Sequence, residues 1–271
     1  MNTEILAAVR AEFVKARTDP ALQLVLLVAV LMMIGLPLLT AFNLAEDFSV
    51  AGTTTVRDYL FSFPGRQGYL AALLLGVLIA ARDVESGGTA RLVVMCRGRG
   101  AVLAGKVVVT TVASLTVGLA CIVAATLTVS AVVWARTSIN PLQDPAIWWM
   151  SLRTLVVFVV WSLIGLGVGL LMRNTVASTA TVLLYGILIE PTITFLSNEH
   201  TSLSGVGRFL PSALSYALVW PSTPGVENTS VGAQSGQALA VGPAIGLLCV
   251  YAALAIVVGY AMGLFRRDLP A

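Results

Sequence analysis

Long apolar runs separated by short polar connections dominate the pattern of this chain. The first, from about Ala21 to Phe42, holds no charged residue, and Asp19 and Pro20 ahead of it supply a helix start. The second, about Gln67 to Ala81, is short and predicts a continuation upstream through Tyr59 to Pro64. The remaining runs are Val107 to Ala135, Thr154 to Met172, Val176 to Phe195 and Val241 to Phe265. Each reaches or approaches the roughly 20 residues with which a helix crosses a bilayer. The pattern predicts an all-α integral membrane protein with six transmembrane helices in one domain over residues 1–271, because the connections leave no room for a soluble domain.

Helical spacing of another kind marks residues 4–18, where Ile5, Leu6, Val9 and Phe13 fall on one side and Arg10, Lys15 and Arg17 stay polar. This predicts an interfacial helix whose cationic stems reach toward lipid headgroups. Either it anchors the tilt of the first span or it also braces a cytoplasmic partner. A signal peptide fits the start poorly, because the first apolar run is longer than such a segment and Glu4, Glu12 and Asp19 are mixed among the bases before it.

Composition agrees with the pattern: 58% of residues are hydrophobic and 11% charged, against about 25% charged in soluble domains. Bases set the orientation. With both termini cytoplasmic, the inside receives Arg10, Lys15, Arg17, Arg82, Arg91, Arg97, Arg99, Lys106, Arg173, Arg266 and Arg267, eleven in all. The outside receives five, Arg57, Arg66, Arg136, Arg153 and Arg208. That is the direction of the positive-inside rule. The net charge of +3 is therefore a topological signal and carries no nucleic-acid footprint. Cys96, Cys121 and Cys249 share no oxidising compartment and no metal-ligand spacing, so neither a disulfide framework nor a metal site is expected.

Between the second and third runs lies a 25-residue island, 82–106, with five of the sixteen basic residues. Asp83 and Glu85 precede Gly87, Gly88 and Thr89; then come the apolar Leu92, Val93, Val94 and Met95, followed by Arg97, Gly98 and Arg99. The glycines break the helix leaving the second span, and Thr89 can cap a new short helix. Two readings fit: a docking plug that offers its apolar side to a partner while its bases stay wet, or a solvated turn whose arginines enforce topology.

The opening AVRAEFVKARTDP, the E-x-x-GT followed by RLVVM, the R-x-R and the lysine at the third span together resemble the permease subunit of type-2 ATP-binding-cassette exporters. The resemblance covers the whole chain. It implies a dimer of two permease copies with two separate ATPase subunits docked beneath, and a coupling helix in the loop between spans two and three. On this chain Glu85, Gly88 and Thr89 match the start of that loop, Leu92, Val93, Val94 and Met95 its plug, and Arg97, Arg99 and Lys106 its basic exit. The family's proline before a serine-arginine pair is absent; Cys96 and Arg97 stand there and leave the end of the helix open.

No phosphate-cradling loop is present, and the only two lysines, Lys15 and Lys106, lie in no such context. The chain is thus expected to be no enzyme and to bind no cofactor itself, with ATP and magnesium held by the partner ATPase. Residues 196–239 fall outside by the topology. Their part Gly205 to Trp220 predicts a short helix after Pro211 with Tyr216 and Trp220 at interfacial depth, followed by a Pro-, Gly- and Ser-rich loop, Pro221 to Gln237. In the family this position holds outer helices that cap the exit path; a plain surface loop is the other reading.

Glu190, before Pro191, is the one acid within a span. Three states fit it, protonated, paired with Arg208 or Arg153, or facing a wet cavity, and two roles, a structural acid stabilising the proline break or a substrate contact. Thr110 and Ser114 in span three extend that substrate path, unless their hydroxyls simply bond back to their own helix. Gly165, Gly167 and Gly169, with Gly242, Gly246, Gly259 and Gly263, mark close helix contacts, within one subunit or at a dimer seam.

A membrane enzyme would need a dyad or metal cluster, and the lone histidine, His200, has only Glu199 beside it. A non-transporting immunity or sensor subunit is the surviving alternative. The expectation is an exporter in a bacterial plasma membrane, working by alternating access on an antimicrobial peptide, drug or other amphipathic cargo.

Overall fold

In the computed structural model, residues 2–43, 58–95, 99–138, 140–172, 174–199, 204–219 and 239–265 are described, and they form helices and turns with no β-strand among them. Helix α1 spans Asn2–Thr18 and α2 Pro20–Asn43. A short α3 (Phe63–Gln67) runs through Gly68 into α4 (Tyr69–Glu85), and α5 (Gly88–Met95) follows. Helix α6 covers Arg99–Thr137 and α7 Pro145–Met172. Then α8 (Thr175–Leu184) passes through a π-helical turn, Tyr185–Ile189, into α9 (Glu190–Glu199). Short α10 (Ser204–Gly207) and α11 (Pro211–Val219) precede α12 (Val241–Val258), which ends in a π-helical stretch Gly259–Phe265.

Five of these rods are long and apolar enough to cross a membrane: Pro20–Asn43, Arg99–Arg136, Pro145–Met172, Thr175–Ser197 and Val241–Gly263. The chain is an all-α membrane protein. The run expected as the second of six spans is α4, whose 17 residues extend only about 25 Å, short of the roughly 30 Å hydrocarbon core. Nine of its 17 residues are buried. Leu73, Leu75, Val77, Ala80 and Ala81 are all buried, and α4 packs most extensively on α7.

Missing side chains make that packing possible. A methyl group on Gly76 would collide with the Ser162 carbonyl, one on Gly165 with the Leu73 carbonyl and one on Gly169 with Ala80, so α4 and α7 cross backbone to backbone. Gly167 meets Ala255 and Gly259 in the same way, and Gly263 meets Leu170, which seats α12 on the other side of α7. Gly242 and Gly246 face open space. The outward faces, with Leu24, Leu31, Leu119, Leu127, Leu254 and Val257 exposed, present hydrocarbon to hydrocarbon. Trp134, Trp148 and Trp149 are exposed together where α6 ends and α7 begins, as in an interfacial aromatic belt.

Two boundaries differ from the sequence expectation. Helix α6 begins at Arg99, eight residues before Val107, because the stretch around Gly105 lies tightly against Ala8 and Val9 of α1 and stays helical on that support. Helix α7 begins at Pro145 instead of Thr154; the Asp144 side chain accepts the Ala146 N–H, and proline at the first position suits a helix start. Arg153 therefore sits on the helix, outside any loop. Span five does not break at Pro191. Proline has no N–H for the preceding turn, and the π-helical widening before it leaves the Gly186 carbonyl to accept the Tyr69 hydroxyl at 3.3 Å.

Candidate functional site

Where α4 leaves the bundle, Gly87 takes a positive φ of 72°, the left-handed conformation that suits glycine, and turns the chain into α5. Gly88 then lies flat on the Asp83 carboxylate, where a Cβ would strike Oδ1. That carboxylate is a hub. Its Oδ1 accepts Lys15 Nζ at 2.7 Å, and its Oδ2 accepts Lys106 Nζ at 2.6 Å and the Thr89 hydroxyl at 2.7 Å. Lys106 Nζ also stands 3.0 Å from Glu12 Oε1, and Lys15 Nζ stands 3.8 Å from the same oxygen. Beside this group Arg82 pairs with Asp19.

Four elements thus meet at one balanced set of charges: α1 through Glu12 and Lys15, α4 through Asp83, α5 through Thr89, and α6 through Lys106. Lys106 is fully buried and Glu12 nearly so, whereas the Lys15 side chain remains 41% exposed. Burial alone would raise the Asp83 carboxyl, but the Lys106 ammonium and the hydrogen bonds from Lys106, Lys15 and Thr89 outweigh it and hold the group below the usual carboxylate range. Such a cluster is stable only when complete, because one missing member strands an opposite charge out of water.

Around it sits a small apolar knot of Ala8, Leu92 and Val102, joining α1, α5 and α6. Among the apolar residues expected to dock, Leu92 therefore faces inward, 6% exposed, while Val94 points outward at 80%. The backbone of Val93 and Met95 lies within α5; their side chains and all of Arg97 lie outside the described residues. Arg99 opens α6 and is partly exposed. Glu85 lies at the rim, where its Oε2 accepts the Thr175 N–H at 3.1 Å and ties α4 to the start of α8. Hydrogen bonding from Thr175 holds the Glu85 carboxyl below its ordinary value.

Two expectations for the island change. Thr89 is no cap: it lies inside α5 and its hydroxyl donates to Asp83, because the turn at Gly87 places it directly over that carboxylate. Lys106 is no solvated base at the exit of the loop, since the long α6 carries it into the interior. Sequence reading named Asp83 and Lys106 only as loop charges and missed Glu12 and Lys15 as their partners. The only two lysines, Lys15 ahead of the first span and Lys106 at the end of the island, are far apart in the sequence, which carries no signal that they meet.

The expected substrate-path residues do not assemble. Thr110 is buried one turn beyond Lys106, about 6 Å along α6, and Ser114 donates to the Thr111 carbonyl of its own helix at 2.9 Å. Glu190 lies at the other end of the bundle, where its Oε1 accepts the Ser212 N–H at 2.6 Å near the start of α11. It forms no ion pair with Arg208 or Arg153 among the described residues; the Arg208 guanidinium lies over the Phe209 ring instead. Helix α11 buries Leu214, Leu218 and Val219 against the bundle, so this part of 196–239 is packed structure. His200, Trp220 and the stretch Pro221 to Gln237 lie outside the described residues.

No family model matches this chain and no curated protein matches it, so its functional reading rests on the charge-locked junction of α1, α4, α5 and α6.

Proposed function

We propose that the chain is the membrane-spanning subunit of an ATP-driven exporter, with α5 as the helix that receives force from a separate ATPase. The observation that supports this reading most is the junction itself. A short helix is held rigidly at its base by buried charge and presents an apolar side chain, Val94, to the surroundings. A push on α5 reaches α4 through Asp83, α6 through Lys106, and α8 through Glu85 and Thr175. A solvated turn that merely fixes topology has no need of a buried lysine with two carboxylates.

In this reading α4 is the second of six spans, both termini are cytoplasmic, and the membrane is the plasma membrane of a bacterium. Two copies pair about the path, each above an ATPase subunit that holds ATP and magnesium. The open faces at Gly242 and Gly246 are available to the second copy. The cargo is an amphipathic molecule such as an antimicrobial peptide or drug.

Affinity capture of this chain from its native membranes tests the proposal. It should recover a protein with a phosphate-binding loop whose ATP turnover rises with the permease present. Val94→Asp should leave the permease folded and abolish that rise. Recovery of no such ATPase favours the immunity or sensor reading, and normal stimulation by Val94→Asp sinks the assignment of α5.

A further inference from the structure

At the end of the bundle away from the island, a cavity of about 370 Å³ opens between the start of α4, the π-helical turn before α9, and α11. Leu70, Ile187 and Pro191 give it apolar walls, and Gln67 and Ser212 add polar atoms. Its size falls in the range of small-molecule sites, roughly 300 to 1,000 Å³. Ile187 is well exposed on the helix Thr175–Ser197, which is long and apolar enough to cross a membrane, so the cavity has an open apolar flank.

Arg66 is its one charged lining residue among those described. The guanidinium lies 4.7 Å from the Tyr59 ring centroid, 5.4 Å from Tyr216 and 6.0 Å from Phe63. Ring faces attract the cation but offer weak acceptors for its directional N–H groups. Nη1 is buried and has no hydrogen-bond partner, and no carboxylate pairs with Arg66 among the described residues. Arg66 itself lines the cavity, so an acceptor entering there meets a cation that no described carboxylate neutralises.

We propose that this cavity binds a single anionic group, a carboxylate or phosphate, borne on an apolar tail that extends past Ile187 into lipid. Arg66 supplies the anion contact, and Tyr59 and Tyr216 hold it in place. The proposal rests on the exporter reading in naming the charge of the cargo, yet binding is measurable without any ATPase. The same chemistry describes a free amphiphile and an anionic lipid headgroup.

The test uses the full chain in phosphatidylcholine nanodiscs, titrated with dansyl-labelled undecanoic acid and with its methyl ester. The acid should bind about 10- to 100-fold tighter, the worth of a charge-assisted hydrogen bond. Arg66→Gln should bring the two Kd values together by weakening the acid and leaving the ester unchanged. Arg66→Lys, which keeps the charge, should retain part of the preference. Repeating the titration with phosphatidylglycerol in the disc separates the sources. Competition in the wild type that is absent from Arg66→Gln identifies the lipid headgroup, and an unchanged Kd identifies a free amphiphile. A ratio near one in the wild type overturns the proposal, even if Arg66→Gln fails to assemble, and so does a preference that survives in Arg66→Gln. Failure of ATPase capture with the acid preference intact would leave the anion site standing and remove only the exporter.

Discussion

At the scale of single residues, the weight of this structure falls on Asp83 and Lys106. Lys106→Met removes a fully buried cation and leaves Glu12 and Asp83 facing each other with only the half-exposed Lys15 between them. Breaking a buried pair from one side costs about 3 to 5 kcal/mol, and a thermal melt in detergent should register that loss. Adding Asp83→Asn to Lys106→Met should restore much of it, since the remaining Glu12 and Lys15 are balanced. Lys15→Ala should cost less than Lys106→Met, about 1 to 2 kcal/mol, because its side chain is 41% exposed although it donates to the nearly buried Asp83. Asp83 also sets a pH dependence. Its folded-state pKa is lowered, so its stabilisation is fully present above the unfolded value of about 3.9 and is lost as pH falls through the lower folded value. Melting points should hold from neutral pH down to about 4 and drop below it, and Asp83→Asn should flatten that drop.

At the scale of elements, helix α5 divides its apolar residues between two tasks. Leu92→Ala empties a packed position between Ala8 and Val102 and should destabilise by about 2 to 4 kcal/mol. Val94→Asp changes an exposed position and should leave the melting point within about 0.5 kcal/mol of wild type. Finding both variants equally destabilised would mean that α5 packs on something other than the α1–α6 knot. The crossing of α4 and α7 predicts a similar contrast among glycines. Gly165→Val must push two backbones apart and should abolish the folded subunit, whereas Gly242→Ala meets nothing within the subunit and should be tolerated. If Gly242→Ala instead dissociates a dimer, measured by mass photometry in nanodiscs, the open face of α12 is a seam between copies.

At the scale of the whole molecule, the two ends of the bundle differ in kind. One end holds the locked charge cluster and α5; the other holds the tryptophans of α6 and α7, the Arg66 cavity and α11. The proposed topology puts them on opposite sides of the membrane. In a variant without native cysteines, a cysteine at Ser86 should react with an impermeant maleimide only in inverted vesicles, and one at Gln67 only in intact cells. Reactivity of both from one side would overturn the orientation. Helix α4 connects these ends directly, with Tyr69 bonded to the Gly186 carbonyl at its start and Asp83 in the charge cluster near its end. Its enclosure by α7 and its short length make it the rod through which the two ends can be coupled.

Hydropathy determined the membrane class, the helices and their approximate limits, because apolar length and the cost of unsatisfied backbone in lipid are properties of the chain itself. The glycines of α7 were legible as points of close approach for the same reason. Which partner each glycine meets was a matter of tertiary structure, and so were the early starts of α6 and α7, one supported by α1 and the other by a cap at Asp144. The charge cluster shows the limit most clearly. Glu12, Asp83 and Lys106 look like ordinary loop and interface charges in sequence, since nothing along the chain says they share a site. Their burial follows from three helices converging within hydrogen-bond reach, and only that convergence turns scattered charges into a joint.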